Sequence, residues 1–214
     1  MASRNHVVSG CFLVVCGSAL AMVLNGCHTA GSRGQSAAAT EPASAAPMVN
    51  VKTAANLPTI RVDAGSDQAV TDSTGVKWSA DTGFDGGDTV DRPDLKVTGT
   101  DTPELYHTER YSMDDYHFTV PNGNYLVRLH FSEDYDGITS PDDRKFSYTV
   151  KDGSPANGKV VKEVKNFSPW GAAGAQFKAY VDTVPVSVTN GEISITFTAD
   201  VENPQINAIE ILPQ

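Results

Sequence analysis

From residue 59 onward the apolar residues recur at every second position, and no long stretch recurs at the helical period of 3.6. Val127, Leu129 and Phe131 fall on one face of Tyr125–Phe131. Phe146, Tyr148 and Val150 alternate with Ser147 and Thr149, and Ile193, Ile195 and Phe197 alternate with Ser194 and Thr196. A period of two puts successive side chains on opposite sides of a half-buried strand. Further strands are expected at Thr59–Asp63, Val76–Ala80, Glu104–Tyr111, Tyr116–Val120, Lys159–Lys165, Gln176–Val181, Val184–Val188 and Gln205–Leu212. Pro121-Asn122-Gly123-Asn124 and Asn190-Gly191 separate them as hairpin turns, because Asn and Gly accept positive φ. Short strands at this spacing predict an all-β fold, a jelly-roll-type β-sandwich of two antiparallel sheets spanning residues 59–214.

Two stretches break the rhythm. Residues 81–103, rich in Gly and Asp and containing the aromatic Phe84, read as one long polar loop. Ser132–Asp143 reads as a second loop, in which Tyr135 stands among Glu133, Asp134 and Asp136. Loops on a rigid sandwich commonly carry binding sites. An aromatic ring among carboxylates suits a polyhydroxylated ligand: the ring packs on C–H groups and the acids accept hydroxyl hydrogen bonds. The alternative is an amphipathic tyrosine capping its own loop.

The segment before residue 59 is of another kind. A short start with one Arg precedes the apolar run 7–24, which ends in Leu24-Asn25-Gly26-Cys27. This is the pattern of an export signal, and the last four residues resemble the lipobox of bacterial lipoproteins. The resemblance implies a signal peptide over 1–26, a lipidated Cys27, and several acyl chains that hold the chain to a membrane. An uncleaved membrane helix and an ordinary cleaved signal remain as alternatives. Residues 27–58, rich in Ala, Ser, Thr and Pro and without aromatics, read as a flexible tether. His28 follows Cys27 where an Asp would mark inner-membrane retention in some bacteria, so the expected location is the cell envelope, at the outer membrane or cell surface.

Composition excludes several function classes. The 214 residues carry 16 Lys and Arg against 26 Asp and Glu, a formal charge of −10. Nucleic-acid binding, which selects clustered cations, is therefore not expected. All three cysteines lie at or before residue 27, so the body holds no disulfide, thiolate metal site or Cys nucleophile. His107, His117 and His130 show no metal-ligand spacing, and no Ca²⁺-binding Asp-x-Asp-x-Asp-Gly loop is present. No metal or cofactor is expected. The sequence also lacks Gly-x-Ser-x-Gly, His-Glu-x-x-His and a phosphate-binding glycine loop. A pair of hydrolytic carboxylates can always be imagined among 26 acids, so it carries no weight. The expectation is a non-enzyme.

Five segments occur in a shared order: Ile60–Gly65, Trp78, Tyr106–Tyr111 (containing Thr-Glu-Arg-Tyr), Val120–Glu133, and Asn203–Glu210. Together they resemble the malectin family over nearly the whole body. The resemblance implies a β-sandwich module that binds carbohydrate; the founding animal member binds a diglucosylated glycan in the endoplasmic reticulum. The family's binding positions carry over as Tyr111, which ends Thr-Glu-Arg-Tyr, and Tyr135, which follows Phe131-Ser132-Glu133. The aromatic after that tyrosine is here Asp136, and the acid before Asn203-Pro204 is Glu202, one methylene longer than the family's Asp. The family's first aromatic corresponds to Phe84, the sole aromatic of the 81–103 stretch. The reading is a lipid-anchored protein that binds carbohydrate, such as a glucose-containing oligosaccharide, through Tyr111, Tyr135, Asp136, Glu202 and Phe84. The alternative is an envelope scaffold or protein-interaction lipoprotein that keeps the sandwich without a working sugar site. Glu109 and Arg110 are expected to brace strands, and Trp78 and Trp170 to pack in the core or at its rim.

Overall fold

Alternation becomes burial in the computed structural model, which describes residues 57–214. Val127, Leu129, Phe131, Phe146, Val150, Ile193 and Ile195 are wholly shielded from solvent, and Tyr148 and Phe197 nearly so. Their strands lie on both sides of one core.

The elements run β1 (Ile60–Asp63), β2 (Val70–Thr71), β3 (Lys77–Trp78), β4 (Phe84–Asp91), a 3-10 turn (Pro103–Tyr106), β5 (Thr108–Thr119), β6 (Gly123–Phe131), β7 (Lys145–Asp152), β8 (Lys159–Phe167), α1 (Pro169–Ala173), β9 (Tyr180–Val188), β10 (Glu192–Val201), β11 (Gln205–Ile206) and β12 (Ala208–Pro213). One sheet has the order β1-β12-β6-β9. The other has the order β11-β5-β10-β7-β8, with β4 added along β5, and β2 and β3 form a small ribbon of their own. Strand pairs within both large sheets are antiparallel, so the expected β-sandwich is the observed fold.

The turn residues act as their chemistry requires. Asn122 reaches from one turn to the other: its Nδ2 donates to the Thr189 carbonyl at 3.0 Å, and its Oδ1 accepts from the Gly191 N–H at 2.9 Å. Gly191 supplies the positive φ of that second turn.

Three expectations need correction. The stretch 81–103 is not all loop, because β4 occupies Phe84–Asp91 and pairs with β5. Seven of its eight residues are exposed, so no apolar alternation announces it; backbone pairing holds it instead. Gly87 is needed there, since any Cβ would strike the backbone of Tyr111 and Met113. Secondly, the strand expected at Glu104–Tyr111 begins only at Thr108, after the 3-10 turn, and continues through Tyr116–Val120 to Thr119. Thirdly, the two strands expected at Gln176–Val181 and Val184–Val188 form the single strand β9, Tyr180–Val188. Pro185 is tolerated because β9 lies at a sheet edge, where a missing N–H costs no ladder bond.

Candidate functional site

At one end of the sandwich a cavity of about 200 Å³ is lined by Val90, Arg92, Glu109, Tyr111, Tyr135, Arg144, Glu202 and Asn203. Tyr111, Tyr135 and Glu202, all read from the sequence as candidates, thus meet at one place. Arg92, Glu109, Arg144, Val90 and Asn203 were not among those candidates.

Each wall is fixed by its neighbours. Val90 of β4 pairs with Glu109 of β5, and Asp88 pairs with Tyr111. Tyr135 is 47% exposed, and its ring lies against Gly137, where a side chain would collide with it. Its carbonyl accepts from Gln176 Nε2 at 2.8 Å and from the Ile138 N–H at 3.1 Å. Glu202 takes a positive φ in the turn between β10 and β11. That turn is tied by Arg144 Nη1, which donates to the Asn203 carbonyl at 2.7 Å.

Beneath the cavity lies an under-satisfied polar layer. Glu109 Oε1 is 3.1 Å from Arg92 Nη1, and Glu133 Oε2 is 2.9 Å from Arg144 Nε, but off the hydrogen-bond direction. Glu109 Oε2, Ser132 Oγ, Asp134 Oδ1 and Gln205 Oε1 are buried with no hydrogen-bond partner among the described residues. Buried polar atoms are ordinarily paired, and functional sites are where the rule is broken. Glu133 and Asp134 therefore do not stand beside Tyr135 as surface acceptors. They turn inward and are almost fully buried.

Burial pushes the Glu133 carboxyl up to about 7, against the opposing pull of Arg144. It pushes Asp134 to about 7 as well, against the opposing pull of the hydrogen bond from Asn207. Asp63, buried near Thr108, is likewise raised to about 7. These folded-state values lie above those of the unfolded chain. The protonated carboxyls thus favour folding fully below about pH 4, and that contribution is lost as pH rises through about 7. Burial also opposes ionisation of Asp72, Asp152 and Glu210, but hydrogen bonds hold them below their ordinary values, so they act below that window. The unfolding free energy is expected to fall between pH 5.5 and 8 by about 2 kcal/mol for each of these three carboxyls. Urea melts at a series of pH values measure this, and Asp134→Asn should flatten the slope. A stability that climbs steadily across the same range contradicts the reading.

Two expected site residues lie elsewhere. Phe84 does not line the cavity: it is at the start of β4, edge-on to Tyr116, with the Arg110 guanidinium carbon 3.4 Å from its ring centroid. Asp136 is exposed beside Tyr135 but is not a lining residue. Trp78 is buried in a small second core with Leu105 and Tyr106, and Glu109 and Arg110 pair with Arg92 and Asp81 as braces.

A second cavity of about 450 Å³ lies beside Trp78, Tyr106, His130 and Glu210. Its polar groups are satisfied. Glu210 receives Arg61 Nε at 2.9 Å, Arg128 Nη1 at 2.7 Å and His130 Nε2 at 3.2 Å, and His130 Nδ1 meets the Tyr106 hydroxyl at 3.1 Å. A closed network of this kind has no group left over in its buried core, and the first cavity has several. Among the described residues no group of three or more His, Cys, Asp or Glu side chains is placed to hold a metal ion.

A two-sheet antiparallel sandwich with a tyrosine-lined cavity at its loop end defines a binding domain of the carbohydrate-binding type. The malectin domain model matches residues 59–209, and the chain belongs to that family. Among solved structures, Bacteroides uniformis β-glucuronidase aligns with a TM-score of 0.62 at 21% identity, over 73% of this chain and 18% of that one. The ANX2 ectodomain of Arabidopsis thaliana aligns with a TM-score of 0.58 at 19% identity, over 72% of this chain and 49% of that one. A kinesin-like protein, KIN-14E of Oryza sativa subsp. japonica, is 40% identical over 58 residues, which are 27% of this chain and 5% of that protein. The chain thus spans half or less of these relatives. The structural likenesses speak for the fold.

Proposed function

We propose that this chain binds carbohydrate without catalysis, at the cavity between Tyr111 and Tyr135, from a lipid anchor at Cys27 in the cell envelope. The observation that carries the reading is the convergence of both tyrosines and Glu202 on one cavity above a layer of unpartnered buried polar atoms. The ring faces pack on sugar C–H groups, and Glu202, Asn203 and Arg92 orient the hydroxyls. Family membership supports the ligand class. The apolar run ending in Leu24-Asn25-Gly26-Cys27 supports the anchor. It lies outside the described residues, as do Cys27 itself and the tether up to residue 56.

The test is a glycan array probed with the purified full chain beside a Tyr111→Ala/Tyr135→Ala variant. Loss of two stacking faces should lower affinity for any glycan retained by the native chain by about tenfold to a hundredfold, with the circular dichroism unchanged. The native chain should also leave the membrane fraction when Cys27 is replaced by Ser. Silence of the native chain across neutral and envelope glycans would favour a scaffold role for the same sandwich.

A further inference from the structure

The loop that carries Tyr135 is closed at its neck by its own two ends. Glu133 stands at the start of the connection between β6 and β7, and Arg144 is its last residue. Their side chains are 1% and 6% exposed, and Arg144 Nε lies 2.9 Å from Glu133 Oε2. The same guanidinium reaches a second element. Its Nη1 donates to the Asn203 carbonyl at 2.7 Å, in the turn that carries Glu202. On the other side, Glu133 Oε1 accepts from the Tyr135 N–H at 3.3 Å, and the Glu133 carbonyl accepts from the Phe177 N–H at 3.1 Å. A buried relay thus runs from the backbone of Asn203 through Arg144 and Glu133 to the backbone of Tyr135. Asn203, Arg144 and Tyr135 all line the cavity.

Only a forked cation can serve both places. Arginine holds five N–H donors in a rigid plane, so one edge meets the carboxylate while another donor reaches the carbonyl. Other ties hold each wall without joining Tyr135 to Glu202. The Ser112 N–H donates to the Pro204 carbonyl at 2.9 Å, and Gln205 Nε2 donates to the Ser132 carbonyl at the base of the loop. The charged groups near Glu133 are few. Arg144 attracts it, Glu109 repels it while paired with Arg92, and neighbouring Asp134 turns to Asn207.

We propose that Arg144 is the positioning residue of the cavity: by holding Glu133 at the neck of the Tyr135 loop and the Asn203 carbonyl of the Glu202 turn at once, it makes the two walls move together. Its effect on affinity rests on the carbohydrate reading above; the coupling of the walls does not. The coupling depends on the charge of Glu133. Burial pushes that carboxyl up to about 7, so its hold on Arg144 weakens as pH falls through this value.

Hydrogen exchange followed by mass spectrometry on the full chain, with no sugar present, reads the coupling. Arg144→Met should speed exchange about tenfold or more in both 132–143 and 199–205, while β6 and β12 keep their protection. Glu133→Gln decides the matter, because Glu133 touches nothing in the turn and the Arg144–Asn203 bond can still form. It should speed exchange in the turn as well as in the loop. It also carries the test should Arg144→Met fail to fold. Faster exchange confined to the loop, or a uniform rise across all strands, overturns the inference. Calorimetry with maltose reads the effect on binding. The native chain should bind this probe about threefold to tenfold more tightly at pH 8 than at pH 6, and Glu133→Gln should flatten that profile. The unfolding free energy moves the other way over this range, so a site that merely followed the stability of the fold would bind worse at pH 8. Tighter binding at pH 6, or a profile unchanged in folded Glu133→Gln, overturns the inference as well. Coupled exchange in a chain that binds no maltose supports the role of Arg144 and counts against the carbohydrate reading alone. Uncoupled exchange in a chain that binds maltose does the reverse.

Discussion

Phe131→Ala should remove about 3–5 kcal/mol of folding free energy and lower the melting temperature by about 10 °C. Phe131 ends β6, is fully buried, and stands at the centre of an aromatic cluster. Its ring centroid is 4.9 Å from Phe167, 5.6 Å from Tyr148 and 6.0 Å from Phe146. Those partners lie on β7 and β8 of the opposite sheet, so the ring joins the two layers. Truncation leaves a void bordered by aromatic rings, which cannot collapse as flexible aliphatic chains do. A domain of this size has about 5–15 kcal/mol in all. Urea unfolding followed by the fluorescence of the buried Trp78 measures the loss. A change below about 1 kcal/mol would show that the inter-sheet cluster is not the centre of the core.

The same residues show why this fold is largely legible in sequence. Burial on one face imposes a period of two wherever a strand covers the core, and β6, β7 and β10 display it directly. Strand β4 covers nothing, so Phe84–Asp91 carries no such imprint; its pairing is made by backbone groups that any sequence possesses. Pro185 lies within the expected strand Val184–Val188, and the sheet edge accommodates it.

The site was legible where a side chain must be of one type and hidden where it is defined by meeting others. Tyr111, Tyr135 and Glu202 stand in short segments that resemble the family's motifs, and they converge. Arg92 and Arg144 come from separate connections and reach the cavity only through tertiary structure. Glu133 had a signal that could have been followed. Continuing the alternation Val127, Leu129, Phe131 by one step places residue 133 on the inward face, where it lies. A carboxylate at that position reads as the end of the strand, and only the fold reveals that Arg144 waits opposite it. Phe84 shows the limit of carrying a role over by residue type. An aromatic is present in the corresponding stretch, but Arg110 occupies its face.

Arg110 is also the source of the second large effect. Asp81→Ala should destabilise the fold by about 3–5 kcal/mol, although Asp81 sits in a polar stretch with no apolar pattern. Its Oδ2 accepts from Arg110 Nε at 2.7 Å and from the Gly65 N–H at 2.8 Å, and its Oδ1 accepts from the Tyr116 hydroxyl at 2.9 Å. Both members of the ion pair are nearly buried, with side chains 8% and 5% exposed. Without Asp81, the Arg110 charge remains in place with only the Gly86 and Gly87 carbonyls, each at 3.0 Å, and the Phe84 ring to meet it. The Gly65 N–H and the Tyr116 hydroxyl lose their acceptor at the same time, and leaving buried donors unmatched adds to the cost. Asp81→Asn keeps the shape and one acceptor oxygen, so its loss should be smaller than that of alanine. Adding Arg110→Met to Asp81→Ala removes the stranded charge and should recover part of the stability; a double-mutant cycle in urea reads that coupling. Strict additivity of the two substitutions would show that Arg110 and Asp81 do not act as a buried pair. Arg110 also ties the Gly86-Gly87 corner of β4 to the β5 segment that carries Glu109 and Tyr111, so under the proposed function the alanine variant should weaken binding together with stability.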